Sequence, residues 1–456
     1  MSTTVRYTLQ AALFALASIF VVSANAAIPL VKTKAARFIP RSPARPEGPA
    51  RPFYIEGITS PVPDRAAAPA RAGYDNLTNG YALQGPNFDK INENNVVPDR
   101  SFNDGRFVFE EVEDIEDGLG PTYNAQSCRE CHENIVTGGS SQITEFRSGR
   151  TDDSGMFFES LGGSLIQSRA TYADIVEHVA DTDNTRTFRI TPGISGDGYV
   201  ECISDSTLLA IQSAQPADMQ GTAPEVPVIE GDGSARIGRF GWKCQHASLV
   251  SFSGDAYLNE IGITNPLFPD ENTSNGEYVG YGTEYDPVPD PEDDGGDLSG
   301  FALFMRSTKV PPRGPVTDAV RLGERRFSKI GCGICHVSSI TTAPAGTVIN
   351  GGAFTVPSAL GDKFISPYGD FLLHNIGTGD GIPIEPLPQY AGTANQIRTA
   401  PLWGVRSRNR LMHDGLSFTF FDAIERHAGQ AAGVLAQFNA LSDADKANIY
   451  AFLGSL

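Results

Sequence analysis

Apolar residues recur at helical spacing in several segments of the chain. The clearest pattern covers residues 317–330, where apolar side chains return at roughly every third or fourth position. A second covers residues 442–456, which open with a Ser-Asp pair typical of a helix N-cap. Residues 418–427 and 247–258 show the same period more weakly. Because regular period-two strands and internal repeats do not stand out, the pattern favours neither a β-sandwich nor a solenoid.

Composition indicates a folded protein with many loops. Of the 456 residues, 40% are hydrophobic, which is enough to form cores and excludes wholesale disorder. The 48 Gly and 31 Pro exceed average use and favour long irregular segments. With 35 Lys and Arg against 54 Asp and Glu, the formal charge is −19. An acidic protein repels phosphate, so nucleic acid is not an expected partner.

The N-terminus has the three regions of a secretory signal peptide. Arg6 is the only charged residue among the first 26, residues 11–22 are apolar, and Ala24-Asn25-Ala26 forms a small-x-small cleavage site. The apolar run is short for a membrane span, although an uncleaved anchor is the alternative. We therefore predict a signal peptide over residues 1–26, export to the periplasm, and a mature chain without a transmembrane segment.

Two shifts in composition predict the domain boundaries. Residues 27–73 are rich in Pro, Ala and Arg, which indicates an extended linker; the alternative is a tether to an anionic envelope surface. Residues 284–297 are acidic and rich in Pro and Gly, as in an interdomain connector. A cation site is the alternative there, but the spacing does not match the calcium loop D-x-[DN]-x-[DN]-G. We predict one domain over residues 74–297 and a second over 298–456.

The cysteines indicate the cofactor. Two C-x-x-C-H motifs are present, and this motif is the attachment signature of c-type haem: two thiols reach the vinyl groups, and the His then lies under the iron. A zinc ribbon would need its two pairs about 15–20 residues apart, and a thioredoxin-like site would need one motif in a βαβ unit. A disulfide inside either motif would close a strained loop. We predict two covalently bound haem c groups, at Cys128-Arg-Glu-Cys131-His132 and Cys332-Gly-Ile-Cys335-His336.

The two remaining cysteines are Cys202 and Cys244. An even pair in an exported chain predicts a disulfide, with a free reactive thiol as the less favoured alternative.

Several further segments accompany the two motifs: GLGPTYNAQSCRECH, GRFGWK, NEIGITNPLFP, PPRGP before GCGICH, PYGDFLLHNIG and TAPLWGVRSRNRLMHDG. With these segments the chain resembles one family, the di-haem oxidoreductases. These peroxidase-like proteins, also described as thiol-oxidoreductase-like, are related to the bacterial di-haem cytochrome c peroxidases. The similarity runs from about residue 100 to the C-terminus, with residues 180–235 the least typical. It implies a mainly α fold, with two cytochrome c-like haem domains and long irregular loops.

The resemblance implies a role for each haem, with peroxide reacting at the N-terminal one and electrons accepted at the C-terminal one. In the related peroxidases, an apolar-x-His-x-Gly element precedes the sixth ligand of the electron-accepting haem by fourteen residues. Here the element contains His413, and the ligand position holds His427 where the peroxidases usually have Met. Met412 and His374 are the rival ligands.

The N-terminal haem has no evident second ligand, as peroxide chemistry requires, although His178, His246 or Met156 could close the site. In the related peroxidases, a Trp between the haems is followed seven residues later by Leu, and then by a Gln and a Glu in the distal pocket. Trp242 and a Leu keep that spacing, Phe replaces the Gln, and Glu260 lies two residues closer than the pattern expects.

These correspondences assign two candidate catalytic residues. Glu260 is the candidate acid/base for O–O cleavage, and Trp242 is the candidate relay between the haems. The alternatives are a solvated helix-end carboxylate for Glu260 and an ordinary core aromatic for Trp242.

The sequence therefore predicts a di-haem enzyme that reduces peroxide with electrons from a small donor cytochrome or cupredoxin. An electron-transfer protein without a substrate, or an oxidase of protein side chains or hydrocarbons, are the alternatives. The related peroxidases hold calcium between their domains, but Arg408 stands where they have a Thr ligand, so the resemblance does not support that site here.

The attachment chemistry gives a first testable prediction. Because thioether bonds survive denaturation, the denatured protein should still stain for haem and carry the mass of two haems. Replacing both Cys128 and Cys131 with Ala should remove one haem and leave the other. Mass spectrometry and haem staining measure this, and extraction of both haems into acid-acetone would contradict it.

Overall fold

Capping side chains set the starts of most helices in this protein. The computed structural model describes residues 99–134, 136–384 and 387–456. The predicted signal peptide and linker, residues 1–26 and 27–73, lie outside the described residues. Ser or Thr side chains accept a backbone N–H at the N-caps of six of the ten α-helices in the described part. The helices are α1 (Asp99–Glu110), α2 (Cys128–Cys131), α3 (Asp197–Glu201), α4 (Asp205–Ala214), α5 (Leu249–Ala256), α6 (Gly296–Ser307), α7 (Asp318–Lys329), α8 (Phe420–Glu425), α9 (Ala432–Asn439) and α10 (Asp443–Leu453).

All four segments with helical periodicity contain a helix, as predicted. The two strongest patterns correspond to α7 and α10, which begin directly after Thr317 and Ser442. The weaker patterns correspond to α8 and α5. Directly after α5 the chain widens into a π-helix, Tyr257–Ile261.

Small antiparallel sheets make up much of the remaining structure. The largest has β2 at its centre, with β6 along one edge and β3 and β4 sharing the other. The other strands pair two by two: β1 with β5, β7 with β8, β9 with β10, β11 with β14, β12 with β13, and β15 with β16. The strands are β1 (Thr122–Tyr123), β2 (Thr144–Thr151), β3 (Phe157–Glu159), β4 (Leu165–Ile166), β5 (Arg169–Ala170), β6 (Thr185–Ile190), β7 (Glu225–Pro227), β8 (Ala235–Ile237), β9 (Thr273–Ser274), β10 (Glu277–Tyr278), β11 (Ile340–Thr341), β12 (Val348–Ile349), β13 (Phe354–Thr355), β14 (Phe364–Ile365), β15 (Leu373–His374) and β16 (Ile397–Arg398).

The prediction of a mainly α fold is wrong. Of the described structure, 32% is helical and 16% is strand. The longest strands, β2 and β6, escaped notice because their sequences, TEFRSGRT and TRTFRI, carry Thr, Glu and Arg instead of alternating apolar residues. Their charged side chains are satisfied by buried and half-buried ion pairs, which a hydrophobicity pattern does not detect.

The two largest apolar clusters each have a helix pair at their centre. In one, α1 packs against α6 through Phe109, Phe301 and Phe304. In the other, α7 packs against α10 through Phe327 and Phe452. All described residues belong to one structural unit, and the domain boundary at 297/298 stays a prediction. None of the described helices has the length and apolar character needed to cross a membrane.

The contact between α7 and α10 depends on a glycine. A Cβ placed on Gly323 would lie 1.9 Å from the backbone oxygen of Asn448, so the helices can approach this closely only without a side chain there. Gly323→Ala should lower the free energy of unfolding by about 1–3 kcal/mol, as overpacking does. Chemical denaturation measures the loss.

Gly433 in α9 is the matched control, because a Cβ there would meet no atom within 4 Å. Gly433→Ala should be neutral or stabilising by up to about 1 kcal/mol. Equal destabilisation by the two substitutions would show that the close helix contact is not the cause.

Candidate functional site

The two C-x-x-C-H motifs adopt the same kind of short helical turn. The first motif forms α2, and the second starts a 3-10 helix at Cys332–Ile334. In each, the backbone N–H of the His donates to the carbonyl of the first Cys, at 3.0 Å for His132 and 2.9 Å for His336. Each turn therefore presents two half-buried thiols and an imidazole to one cavity.

The first cavity combines the second motif with another histidine. It has an empty volume of about 1450 Å³, part of it open to solvent, and its walls are mostly apolar. His336 and His427 both line it, with ring centroids 6.5 Å apart. A metal–imidazole nitrogen bond is about 2 Å, so one metal ion fits between the two rings. The structure thus brings together the predicted proximal and sixth ligands of the C-terminal haem.

Backbone carbonyls orient both imidazoles. The Nδ1 of His336 donates to the carbonyl of Tyr368 at 3.0 Å, and the Nδ1 of His427 donates to that of Ala423 at 2.8 Å. A carbonyl only accepts, so Nδ1 carries the proton and Nε2 keeps its lone pair. Burial lowers the pKa of His336 to about 4 and also lowers the pKa of His427. Both rings are therefore neutral near pH 7, which is the form that binds a metal.

The rival ligands differ from His427 in position. His374 is fully buried, but its Nε2 lies 2.8 Å from a carboxylate oxygen of Asp370, and it does not line the first cavity. Met412 lines that cavity in a left-handed backbone conformation, with φ of 67°. His413, from which the fourteen-residue spacing to His427 is counted, also lines the first cavity and is buried.

The second cavity surrounds the first motif. Its empty volume is about 1290 Å³, again partly open to solvent, and its lining includes Cys128, Cys131 and His132. Burial lowers the pKa of His132 to about 4, so this imidazole is also neutral. His132 is the only imidazole in the described lining, and Met305 is the only thioether.

The three candidates that could have closed the second cavity lie elsewhere. His178 and Met156 are exposed, and the Nε2 of buried His246 lies 3.2 Å from a carboxylate oxygen of Asp255. None of the three belongs to the described lining of the second cavity.

Glu260 lies in the wall of the second cavity, on the π-helix. Its Oε2 accepts a hydrogen bond from the side-chain amide of Asn124 at 2.8 Å. Burial and the nearby charge of Glu145 raise the pKa of Glu260 to about 8. A π-helix shifts the side chains that follow it around the helix axis, and such segments are frequent at functional sites. Glu260 therefore lies in a cavity wall and not at a solvated helix end, and its role as acid/base stays a prediction.

Glu145 and Arg147 are site residues that the sequence analysis missed. Both belong to β2 and line the second cavity. The guanidinium of Arg147 donates to both carboxylate oxygens of Glu145, at 2.8 and 3.1 Å. Burial opposes ionisation of Glu145, but Arg147 and Arg189 lower its pKa. The only sequence signal was a Glu and an Arg two positions apart, on the same face of a polar strand.

Trp242 lines both cavities and is 9% exposed. Its indole N–H donates to the carbonyl of Ile190 at 2.8 Å, and its ring centroid lies 6.3 Å from that of His413. The structure therefore places the predicted relay in the wall that the two cavities share. Phe252, at the position of the peroxidases' Gln, lines only the second cavity.

The predicted disulfide between Cys202 and Cys244 is absent, so this prediction is wrong. Both thiols are free and buried. Cys202 belongs to the larger apolar cluster, whereas the Sγ of Cys244 lies 3.2 Å from the carbonyl of Phe371. Free Cys often behaves as a small apolar residue, and the burial of Cys202 and Cys244 agrees with that behaviour.

Comparison with known proteins assigns the chain to a family. The family model described as "Di-haem oxidoreductase, putative peroxidase" matches residues 163–456. The chain belongs to this family. Membership implies haem cofactors and makes the protein an oxidoreductase enzyme, as predicted.

Other comparisons add less. A search of curated proteins found no match. Among solved structures, a hydrazine synthase of Kuenenia stuttgartiensis is similar at 14% identity and a TM-score of 0.36, covering 78% of this chain and 88% of that chain. A MauG-like protein associated with microbial copper homeostasis is similar at 15% identity and a TM-score of 0.35, covering 83% and 94%.

Proposed function

We propose that the protein is an exported di-haem c-type peroxidase that accepts electrons at the C-terminal haem and reduces peroxide at the N-terminal haem. The observation that carries this proposal is the difference between the two cavities. One holds two facing imidazoles, whereas the other holds one imidazole and a group of ionisable side chains. Export is supported by the signal-peptide pattern of the N-terminus.

The residues present fit two covalently attached haems. Cys128 and Cys131 would bind one macrocycle and Cys332 and Cys335 the other, each inside an apolar cavity. The neutral imidazoles of both motifs, and His427, would hold the irons. When bound, haem supplies the redox chemistry that cleaves the peroxide O–O bond.

Glu260 would move the proton that peroxide reduction requires. Hydrogen peroxide is neutral when it arrives, so the ionised carboxylate must first accept a proton from one oxygen. The protonated carboxyl then returns that proton to the leaving oxygen as water forms. A pKa of about 8 suits both steps, because a group with a pKa near the working pH exchanges protons in both directions.

Asn124 and Glu145 would hold Glu260 in place for this transfer. The Asn124 amide donates to one oxygen of Glu260. Glu145 keeps its own charge through Arg147, and burial together with that fixed negative charge keeps Glu260 mostly protonated at neutral pH. One carboxyl of the pair is thereby available for proton exchange, and the other is not.

Trp242 would carry electrons between the haems, since it alone among the described aromatic residues lines both cavities. The formal charge of −19 suits a basic donor, either a small cytochrome or a cupredoxin, by steering its approach.

One observation favours a second candidate function, an electron-transfer protein with two six-coordinate irons. Met305 lines the second cavity and offers a thioether, a known axial ligand in cytochromes c. Two low-spin irons that do not react with peroxide would support this candidate and contradict the peroxidase.

His427 should be the sixth ligand of the C-terminal haem. Replacing it with Met should keep the iron low-spin but raise its midpoint potential, because thioether ligation raises the potential relative to imidazole. EPR and redox titration measure the two effects. The exposed His178, replaced by Met, is the matched control and should change neither. Loss of the low-spin signal in His374→Ala, with no change in His427→Ala, would contradict the assignment.

Glu260→Gln should slow the reaction with peroxide at least about a hundredfold, the lower range of general acid–base catalysis. The wild-type rate constant should rise as the pH rises towards about 8, because the ionised form accepts the first proton, and should level off above it. The variant should be slow and independent of pH over this range. Stopped-flow absorption at several pH values measures both.

The matched control is the exposed Glu277, which lines neither cavity. Glu277→Gln should react as fast as the wild type, and both variants should keep two haems. A Glu260→Gln protein that reacts as fast as the wild type would remove Glu260 from the mechanism.

A further inference from the structure

Four carboxylates meet outside both cavities. Glu271, Asp286, Asp290 and Glu292 each contribute one oxygen to a group in which all four oxygens lie within 4.8 Å of one another. None of the four residues lines either cavity. Three of them come from the acidic segment predicted as a connector, whereas Glu271 precedes it by more than ten residues. Folding therefore adds a carboxylate that no local motif includes.

Three of the carboxylates share the same pattern of hydrogen bonds. One oxygen of each accepts a backbone N–H: from Asn272 to Glu271 at 2.8 Å, from Val288 to Asp286 at 3.0 Å, and from Thr264 to Glu292 at 2.7 Å. The other oxygen of each is buried and has no hydrogen-bond partner in the described part of the chain. These are Glu271 Oε2, Asp286 Oδ2 and Glu292 Oε1. One oxygen thus fixes each side chain, whereas the other oxygen accepts no hydrogen bond from the described residues.

Asp286 is the most buried of the four residues. It is only 5% exposed, and its Oδ2 is one of the unpartnered oxygens. Leaving a buried acceptor unsatisfied costs about 1–3 kcal/mol, and more for a charged group. Folded proteins rarely keep such groups unless something outside the chain satisfies them.

The described residues give the cluster no paired counter-charge. Within the described ranges, no Lys or Arg forms an ion pair with any of the four carboxylates. A bound cation would supply the charge that the protein lacks here.

We propose that Glu271, Asp286, Asp290 and Glu292 form a binding site for one Ca²⁺ ion. All four ligands are oxygens, as Ca²⁺ prefers, and no imidazole or thiol takes part in the group, as zinc or copper would favour. Four carboxylates from two separate segments suit the high coordination number and flexible geometry of Ca²⁺. Mg²⁺ usually keeps several waters and uses one or two carboxylates.

The site would stabilise the loop next to the π-helix, whose Glu260 lines the second cavity. Thr264 follows the π-helix that carries Glu260 and hydrogen-bonds through both its backbone and its hydroxyl to Glu292. Asn272, next to Glu271, donates its side-chain amide to the carbonyl of Leu258 on the same π-helix, at 3.3 Å. Bound Ca²⁺ would therefore connect the acidic segment to the element that presents the candidate acid/base.

The test uses the full-length haem-loaded protein after treatment with EGTA. Isothermal titration calorimetry with CaCl₂ should show one Ca²⁺ per chain, with a Kd tighter than about 1 mM and at least about tenfold tighter than for MgCl₂. Ca²⁺ should also raise the midpoint of thermal unfolding, because it binds the folded state. Asp286→Asn should weaken Ca²⁺ binding at least about tenfold, and Asp290→Asn, with a less buried carboxylate, should do the same.

The exposed Glu284 is the matched control, two residues from Asp286. Glu284→Gln should bind Ca²⁺ as the wild type does. Without Ca²⁺, Asp286→Asn should unfold at the wild-type temperature or higher, since one repelling charge is gone. No calcium binding by the wild type, equal affinity for Mg²⁺, or equal losses in Glu284→Gln and Asp286→Asn would each overturn the proposal. None of these results depends on reactivity with peroxide. Failure of the calcium proposal can therefore be distinguished from failure of the proposed function.

Discussion

A buried group of three charges holds the wall between the two cavities. Asp380 is fully buried and pairs with Arg189 at 2.8 Å and with Lys243 at 3.2 Å. Burial opposes the charge of Asp380, but the two cations lower its pKa to about 2. Removing one partner of such a group leaves an uncompensated buried charge, which costs several kcal/mol. Arg189 belongs to β6, and Lys243 follows Trp242, so the three charges fix the strand and the aromatic residue that both cavities share.

The same group of charges reaches the candidate acid/base. Arg189 also lies 3.8 Å from Glu145, which in turn helps to raise the pKa of Glu260. One guanidinium therefore connects the wall between the cavities with the ionisable residues of the second cavity. The register of β2 and β6 places Glu145 directly opposite Arg189, and Arg147 lies two positions along β2 on the same face as Glu145.

The sequence predicted the parts of the site that local chemistry determines. A C-x-x-C-H motif forms one helical turn by itself, so the positions of its thiols and imidazole follow from five residues. The Ser-Asp pair at residue 442 likewise predicted α10 through its N-cap signal, and the apolar spacing of residues 317–330 predicted α7. His427 and Glu260 could be predicted only from the family resemblance, because nothing in the neighbouring sequence shows that they face a cavity.

The remaining parts depend on contacts between distant segments. Glu145 pairs with residues on its own strand and on β6, and its effect on Glu260 arises only when these elements meet. The disulfide prediction failed because an even number of cysteines carries no information about their separation, and here each thiol packs in a different environment. The fold class was wrong for a similar reason: the pairing of β2 with β6 is satisfied by charges, and a hydrophobic pattern does not record it.

Repulsion between neighbouring carboxylates arises at two places in the protein, and the surrounding residues differ between them. Between Glu145 and Glu260, arginines stabilise one charge, and the second carboxyl then favours the neutral form, since two adjacent buried anions repel. Around Asp286 no arginine of the described residues forms an ion pair with a member of the group, and one oxygen of each carboxylate lies within 4.8 Å of the other three. The first arrangement leaves one carboxyl mostly protonated and the other ionised at neutral pH. The second gains most from a divalent cation, because only an added charge can satisfy four oxygens at once.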